Sequence, residues 1–327
     1  MKPILHLPVQ DPCAQTTRIS NMAATNVAIG VIFLSQTVTG ILGNSYLLHY
    51  YLLLHFRGYR LRSTDYIQQH LLTANILSLL CDGVPQTMAA FGWKDVFWDI
   101  GCKLLSYLHR VGRTVSISST CFLSVFQVIT ISPMGSTWSK CKLQAPRYIG
   151  SSTYLTWILS LLVNIVFPVH ITGKTSNTNI TSLKEFGYCS AIRHDKASDI
   201  FYSVLLTSPD MFFVGLMLWS SSSMVFILYR HKQRMKHIHR SNVSLRSSSE
   251  TRATKTILLL VSTFVCFYTV SCLVHTHLAL VYHPTWFMVN AAAIVSGCFP
   301  TVSPFLLMTH DSCESSFCSQ WARNRKY

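Results

Sequence analysis

Apolar residues in this chain of 327 run in long blocks, and Lys, Arg, Asp and Glu gather between them. From Lys255 to Asp311 there is no charged residue, and the 55 residues between them exceed twice the roughly 20 that one bilayer crossing needs. Two helices fit there. They divide at Tyr282-His283-Pro284-Thr285, because proline lacks a donor N–H and disfavours helix in the residue before it. Further charge-free stretches run from Ile19 to Phe56, from Thr114 to Ser139 and from Tyr148 to Gly173. Two more apolar segments, Tyr66 to Phe91 and Ile200 to Tyr229, are each interrupted by one carboxylate, Asp82 and Asp210. A bilayer tolerates such a group when it faces the bundle interior. The pattern predicts seven helices, at about 24-54, 66-91, 103-131, 148-172, 200-229, 254-282 and 285-309.

Composition agrees: 50% of residues are hydrophobic and only 12% charged, where soluble domains carry about 25%. The expected fold is an all-α membrane protein, a seven-transmembrane helix bundle over 24-309. Seventeen Lys and Arg fall in one set of connections and tails, which includes Arg57, Lys140 and the run from Arg230 to Lys255, against eight in the other. Positive loops stay in the cytoplasm, so residues 1-23 are expected outside and 310-327 inside. Met1 to Val9 holds two prolines and no long apolar region, which argues against a cleaved signal peptide. The net charge of +15 follows from basic loops beside anionic lipid, so membrane lipid is an expected partner and nucleic acid is not.

The eleven cysteines include no CxxC, and no metal or cofactor motif appears. Two stand out by topology: Cys102 opens the third helix on the outer side and Cys189 lies in the long outer loop, where a disulfide would tie that loop over the bundle. Asn179-Ile180-Thr181 in the same loop is an N-glycosylation acceptor, whereas Asn242-Val243-Ser244 has the same form on the cytoplasmic side. Cys313 and Cys318 follow the last helix, a place where palmitoylation occurs, and spacing alone does not decide it.

The third helix carries the most informative polar cluster. His109, Arg110 and Arg113, at spacings of four and three, are expected on one face, with Arg110 about 12 Å deeper than Cys102. Guanidiniums at that depth need partners. Either Asp82 and Asp210 neutralise them, in which case the cluster only orients helices, or an anionic or polar ligand does. His275 and His277, near the outer end of helix six, read as interfacial residues. No His-Glu-x-x-His, Gly-rich phosphate loop or Gly-x-Ser-x-Gly is present, so no enzyme is expected. A transporter or channel for a small anion is the alternative, and no internal repeat supports it.

His109-Arg110-Val111-Gly112-Arg113, followed by Cys121-Phe122-Leu123-Ser124-Val125-Phe126-Gln127-Val128-Ile129-Thr130-Ile131-Ser132-Pro133, resembles the third helix of vomeronasal type-1 receptors. Pro85-Gln86-Thr87-Met88-Ala89-Ala90-Phe91-Gly92 is similar to the end of that family's second helix. Arg252 to Val261 resembles its entry into helix six, and Phe299 to Phe305 its helix seven. The resemblance implies a G-protein-coupled pheromone receptor of the plasma membrane in sensory neurons. It implies an inhibitory-type heterotrimeric G protein as partner and pheromone-like small molecules, steroid derivatives or volatiles, as ligands. The Asp-Arg-Tyr of the wider rhodopsin-like class is replaced by Val125-Phe126-Gln127, and helix six lacks an internal proline. Both departures fit the narrower family.

From these readings the ligand is expected near His109, Arg110, Arg113, Asp210 and Asp82. The G protein is expected against Arg230, Lys232, Arg234, Lys236, Arg252 and Lys255, with family analogy carrying most of that assignment.

Overall fold

The computed structural model describes residues 12–59, 62–93, 99–132, 139–165, 171–172, 183–186, 189–192, 196–237, 258–271, 273–274 and 285–310. Its helices are α1 (Pro12–Phe56), α2 (Ser63–Ser78, a π turn at Leu79–Gly83, then Val84–Ala90), α3 (Asp99–Ile131), α4 (Ser139–Asn164), α5 (Lys196–His237), α6 (Leu258–Ser271) and α7 (Trp286–His310). Three short strands, β1 (Ile171–Thr172), β2 (Leu183–Phe186) and β3 (Cys189–Ile192), form an antiparallel sheet in the order β1-β3-β2.

Four helices contain segments long and apolar enough to cross a bilayer, at Ala24–Phe56, Asp99–Ile131, Ser208–Arg230 and Trp286–Met308, and α6 is a shorter apolar helix. Their outer surfaces carry large exposed apolar side chains, as does that of α4, among them Leu42, Tyr154, Ile158, Phe212 and Phe226. Water does not tolerate so continuous an apolar surface, and lipid does. The chain is therefore a helical membrane protein.

Helix bounds differ from the sequence expectation where charge and hydrogen bonding part company. α1 begins at Pro12 rather than 24, although its apolar span starts at Ala24. α4 occupies Ser139–Asn164 rather than 148-172, and Ile171–Thr172 is strand.

α3 lies at the centre, packed against α2, α4 and α5, while α1 packs against α2 and α7. Gly112 sets how close α2 and α3 come. A Cβ there would lie 2.9 Å from the carbonyl oxygen of Ala74 and 3.1 Å from the backbone nitrogen of Ser78. Below this contact an apolar core joins Leu47, Ile67, Leu71, Ile117, Leu123 and Met224.

Prolines inside helices leave carbonyls without donors, and a bilayer supplies no water to replace them. Pro304 has no N–H for the carbonyl of Pro300, and Nδ2 of Asn44 donates to that oxygen at 2.8 Å. Pro209 does the same to Leu205, whose carbonyl accepts from the Ser208 hydroxyl at 3.1 Å. In α2, Pro85 follows the π turn, where the hydrogen-bond ladder is already displaced.

Candidate functional site

Cys102 and Cys189 form a disulfide, with Cα atoms 5.9 Å apart, and Ala89 packs on it. The bond fixes β3, and through it the small sheet, to the ends of α2 and α3. His109 lies two turns further along α3.

The sequence places His109, Arg110 and Arg113 on one face, and the structure sends them to three different neighbours. Each residue advances a helix by about 100°, so His109 and Arg110 diverge despite their similar spacing to Arg113. Nδ1 of His109 lies 3.1 Å from the Ser78 hydroxyl of α2. Nε of Arg110 donates to Oδ1 of Asn164 on α4 at 3.3 Å. Asn164 is itself held, its Nδ2 donating to the Ser160 carbonyl at 2.8 Å. Arg113 places its guanidinium carbon 5.2 Å from the ring centroid of Tyr268 on α6, a cation–π distance.

Asp210 on α5 is 3% exposed, and its Oδ1 has no hydrogen-bond partner among the described residues. Its carboxylate interacts electrostatically with Arg113 and with Arg110, and lies within reach of the Tyr268 hydroxyl. Arg113 and Asp210 are nevertheless not in contact: the ion pair found among the described residues is Lys103 with Asp99, at 2.9 Å on the surface of α3. Asp210 and Arg113 therefore interact through space rather than as a close ion pair among the described residues, which leaves open both neutralisation by the carboxylates and neutralisation by a ligand. Asp82, in the π turn of α2, interacts electrostatically with His109.

A cavity of about 30 Å³ opens between α2, α3, α6 and α7. One wall is polar, with Arg113, Asn75, Ser78, Ser116 and Ser271, and the other carries Phe264, Phe267, Tyr268 and Phe299. Among the described residues the Arg113 guanidinium has no hydrogen-bond or ion-pair partner, and the residue lines this space.

Beneath the cavity runs a network that the pattern of charges along the chain does not reveal. Nδ2 of Asn75 donates to Oδ1 of Asn44 at 3.1 Å and to the Ser303 hydroxyl at 2.8 Å, while the Ser116 hydroxyl donates to Oδ1 of Asn75 at 2.8 Å. All four residues are buried, and they join α1, α2, α3 and α7. Two asparagines in otherwise oily stretches were the available signal. Tyr268 and Asn164 escaped for the same reason, being neither charged nor adjacent in sequence to the groups they meet.

Arg230 is exposed on α5, and Lys232, Arg234 and Lys236 lie on that helix's last turns. Asn179, Arg252, Lys255, His275, His277, Cys313 and Cys318 lie outside the described residues. Among the described residues no group of His, Cys, Asp and Glu is placed to hold a metal ion.

Comparison with known proteins agrees over nearly the whole chain. The model of the vomeronasal organ pheromone receptor family matches residues 27–320. Human vomeronasal type-1 receptor 4 is 54% identical over 302 residues, covering 92% of this chain and 100% of that protein. Human vomeronasal type-1 receptor 2 is 50% identical over 295 residues, 90% of this chain and 75% of that one. The zebrafish (Danio rerio) olfactory receptor class A-like protein 1 is 32% identical over 281 residues, 86% of this chain and 88% of its own. Membrane helices and these relatives define a membrane-embedded chemosensory receptor, and not an enzyme. The chain belongs to the vomeronasal organ pheromone receptor family.

Proposed function

We propose that this protein is a multi-pass receptor of the plasma membrane, crossing it seven times with residues 1-23 outside and 310-327 inside. It binds a pheromone-like small molecule in the disulfide half of the bundle and activates a heterotrimeric G protein of the inhibitory type. The observation that carries the site is Arg113, a guanidinium that lines a cavity with its donors unused among the described residues. His109, Arg110, Asp210 and Asp82 complete its polar surroundings.

The cavity volume indicates how a ligand acts. Small-molecule pockets measure about 300–1,000 Å³, whereas about 30 Å³ holds one or two waters. The helices must part for a ligand to enter, so a ligand favours an opened arrangement by its differential affinity alone. Opening at Arg113 and Tyr268 moves α6 relative to α3. The basic residues from Arg230 to Lys255, which start on the last turns of α5 and run toward α6 in sequence, are where the G protein meets that movement.

Arg113→Met tests the assignment in cells expressing the chain. The receptor is expected to reach the surface in normal amount while ligand-evoked nucleotide exchange on an inhibitory-type G protein is lost. Unchanged exchange removes Arg113 from the site, and loss of surface receptor assigns it a folding role. Ligand-dependent tracer flux without exchange would establish the small-anion transporter or channel instead.

A further inference from the structure

The cavity beside Arg113 is short of acceptors. Nδ1 of His109 lies 3.1 Å from the Ser78 hydroxyl and 3.4 Å from the Ser78 carbonyl oxygen. A carbonyl only accepts, so Nδ1 carries the proton and both oxygens receive it. The Ser78 hydroxyl then keeps its own hydrogen for another acceptor, and Ser78 lines the cavity. Arg113 and Ser296 line the same space, and neither has a hydrogen-bond acceptor among the described residues.

The neighbouring groups offer little in return. Asn75 commits both Nδ2 hydrogens to Asn44 and Ser303, and its Oδ1 takes the hydrogen of Ser116. Ser271 and Tyr268 are already engaged. Phe264, Phe267 and Phe299, on the other wall, have no polar side-chain atom. Three helices, α2, α3 and α7, thus bring uncommitted donors to one small space, and one of those donors is a guanidinium.

We propose that this cavity is a halide site, occupied by chloride in the resting receptor, with Arg113, Ser78 and Ser296 donating to the ion. About 30 Å³ holds one or two waters, and a halide is only slightly larger than water. A water molecule must donate as well as accept, and this lining supplies it mainly with donors. Phosphate, sulfate and carboxylate ions exceed the space, and Arg113 repels a metal cation. Chloride holds its hydration water more loosely than those oxyanions do, which suits the aromatic wall. Asp210 does not line the cavity. Of the two carboxylates, Asp82 acts on His109, while Asp210 is shared between Arg110 and Arg113. The ion ties α3 to α2 and α7, and parting these helices releases it. The inference rests on the ligand-site reading above in one respect, that a ligand opening this cavity must displace the ion.

The test uses the purified full chain in lipid nanodiscs, without ligand or G protein. Sodium chloride replaces sodium gluconate at constant ionic strength while the melting temperature is followed. It is expected to rise along a saturating curve, by at least about 2 °C over the physiological range of chloride. Bromide is expected to act like chloride, and methanesulfonate to have no effect. Arg113→Met is expected to abolish the chloride dependence. Ser296→Ala is expected to raise the half-saturating chloride concentration about tenfold, as loss of one hydrogen bond to a charged group does. Arg57→Met, at an exposed guanidinium just past α1, is expected to keep the native response.

A melting temperature indifferent to chloride, an equal rise with methanesulfonate, or a chloride response that survives in Arg113→Met would each overturn the site. If Arg113→Met does not fold, Ser296→Ala and the ranking of anions on the native chain still decide. Loss of ligand-evoked exchange in Arg113→Met, with no anion response in the native chain, sinks only the halide. A halide response removed by Arg113→Met while exchange persists keeps the halide and sinks the ligand site.

Discussion

Nδ2 of Asn75 donates to the hydroxyl of Ser303 across 2.8 Å, joining α2 to α7 over a separation of 228 residues. The same asparagine bonds Asn44 and accepts from Ser116, so one side chain ties four helices together. Asn75→Leu removes three interhelical hydrogen bonds and strands their partners. At an average of about 0.6 kcal/mol per bond in a membrane bundle, the loss is about 2 kcal/mol. Thermal denaturation in detergent is expected to show a lowered melting temperature.

Gly112 marks a place where space, not hydrogen bonding, sets the limit. The atoms that a new Cβ would meet belong to the backbone of Ala74 and Ser78 and cannot swing aside. Gly112→Ala is expected to push α2 from α3 at about 1–3 kcal/mol, the range for overpacked cores. Surface expression is the measurement, and Gly150→Ala, where a Cβ meets nothing within 4 Å, is the control.

Removing the disulfide has a distinct signature. Cys102 and Cys189 are 87 residues apart in sequence, and a cross-link closing such a loop contributes about 2–4 kcal/mol. Cys102→Ser and the double variant Cys102→Ser with Cys189→Ser are expected to lose the same stability. Neither should respond to dithiothreitol, which should lower the melting temperature of the native chain to match.

Asn164 acts through Arg110. With its own Nδ2 anchored on Ser160, its Oδ1 holds the Arg110 Nε–H. Asn164→Leu leaves that donor in an apolar setting and is expected to reduce ligand-evoked exchange at equal surface expression. Asn164→Asp retains an acceptor at the same place and is expected to restore the response.

How much of this was legible beforehand depended on distance along the chain. The gap from Lys255 to Asp311 and the basic run from Arg230 to Lys255 are visible because a bilayer rejects charge, and that rule acts residue by residue. Position along an apolar stretch is therefore readable, but the partners across a bundle are not. Arg110 meets Asn164, 54 residues away, only because α3 and α4 settle in one rotational register. Counting charges also hid Asn44 and Asn75, whose amides bear no charge yet bring the same unmet donors and acceptors into lipid. The fan of His109, Arg110 and Arg113 to three neighbours was obscured by treating spacings of three and four as equivalent.

The π turn at Leu79–Gly83 inserts one residue's worth of phase into α2. Deleting Leu80 would shorten the helix by only about 1.5 Å, yet it would rotate Val84–Ala90 by about 100° against Ser63–Ser78. Ala89 would turn off the cystine, and Gln86 and Thr87 would face new neighbours, while the half bearing Asn75 kept its bearings. One codon thus sets the angular offset between the part of α2 that grips the bundle and the part that meets the Cys102–Cys189 bond.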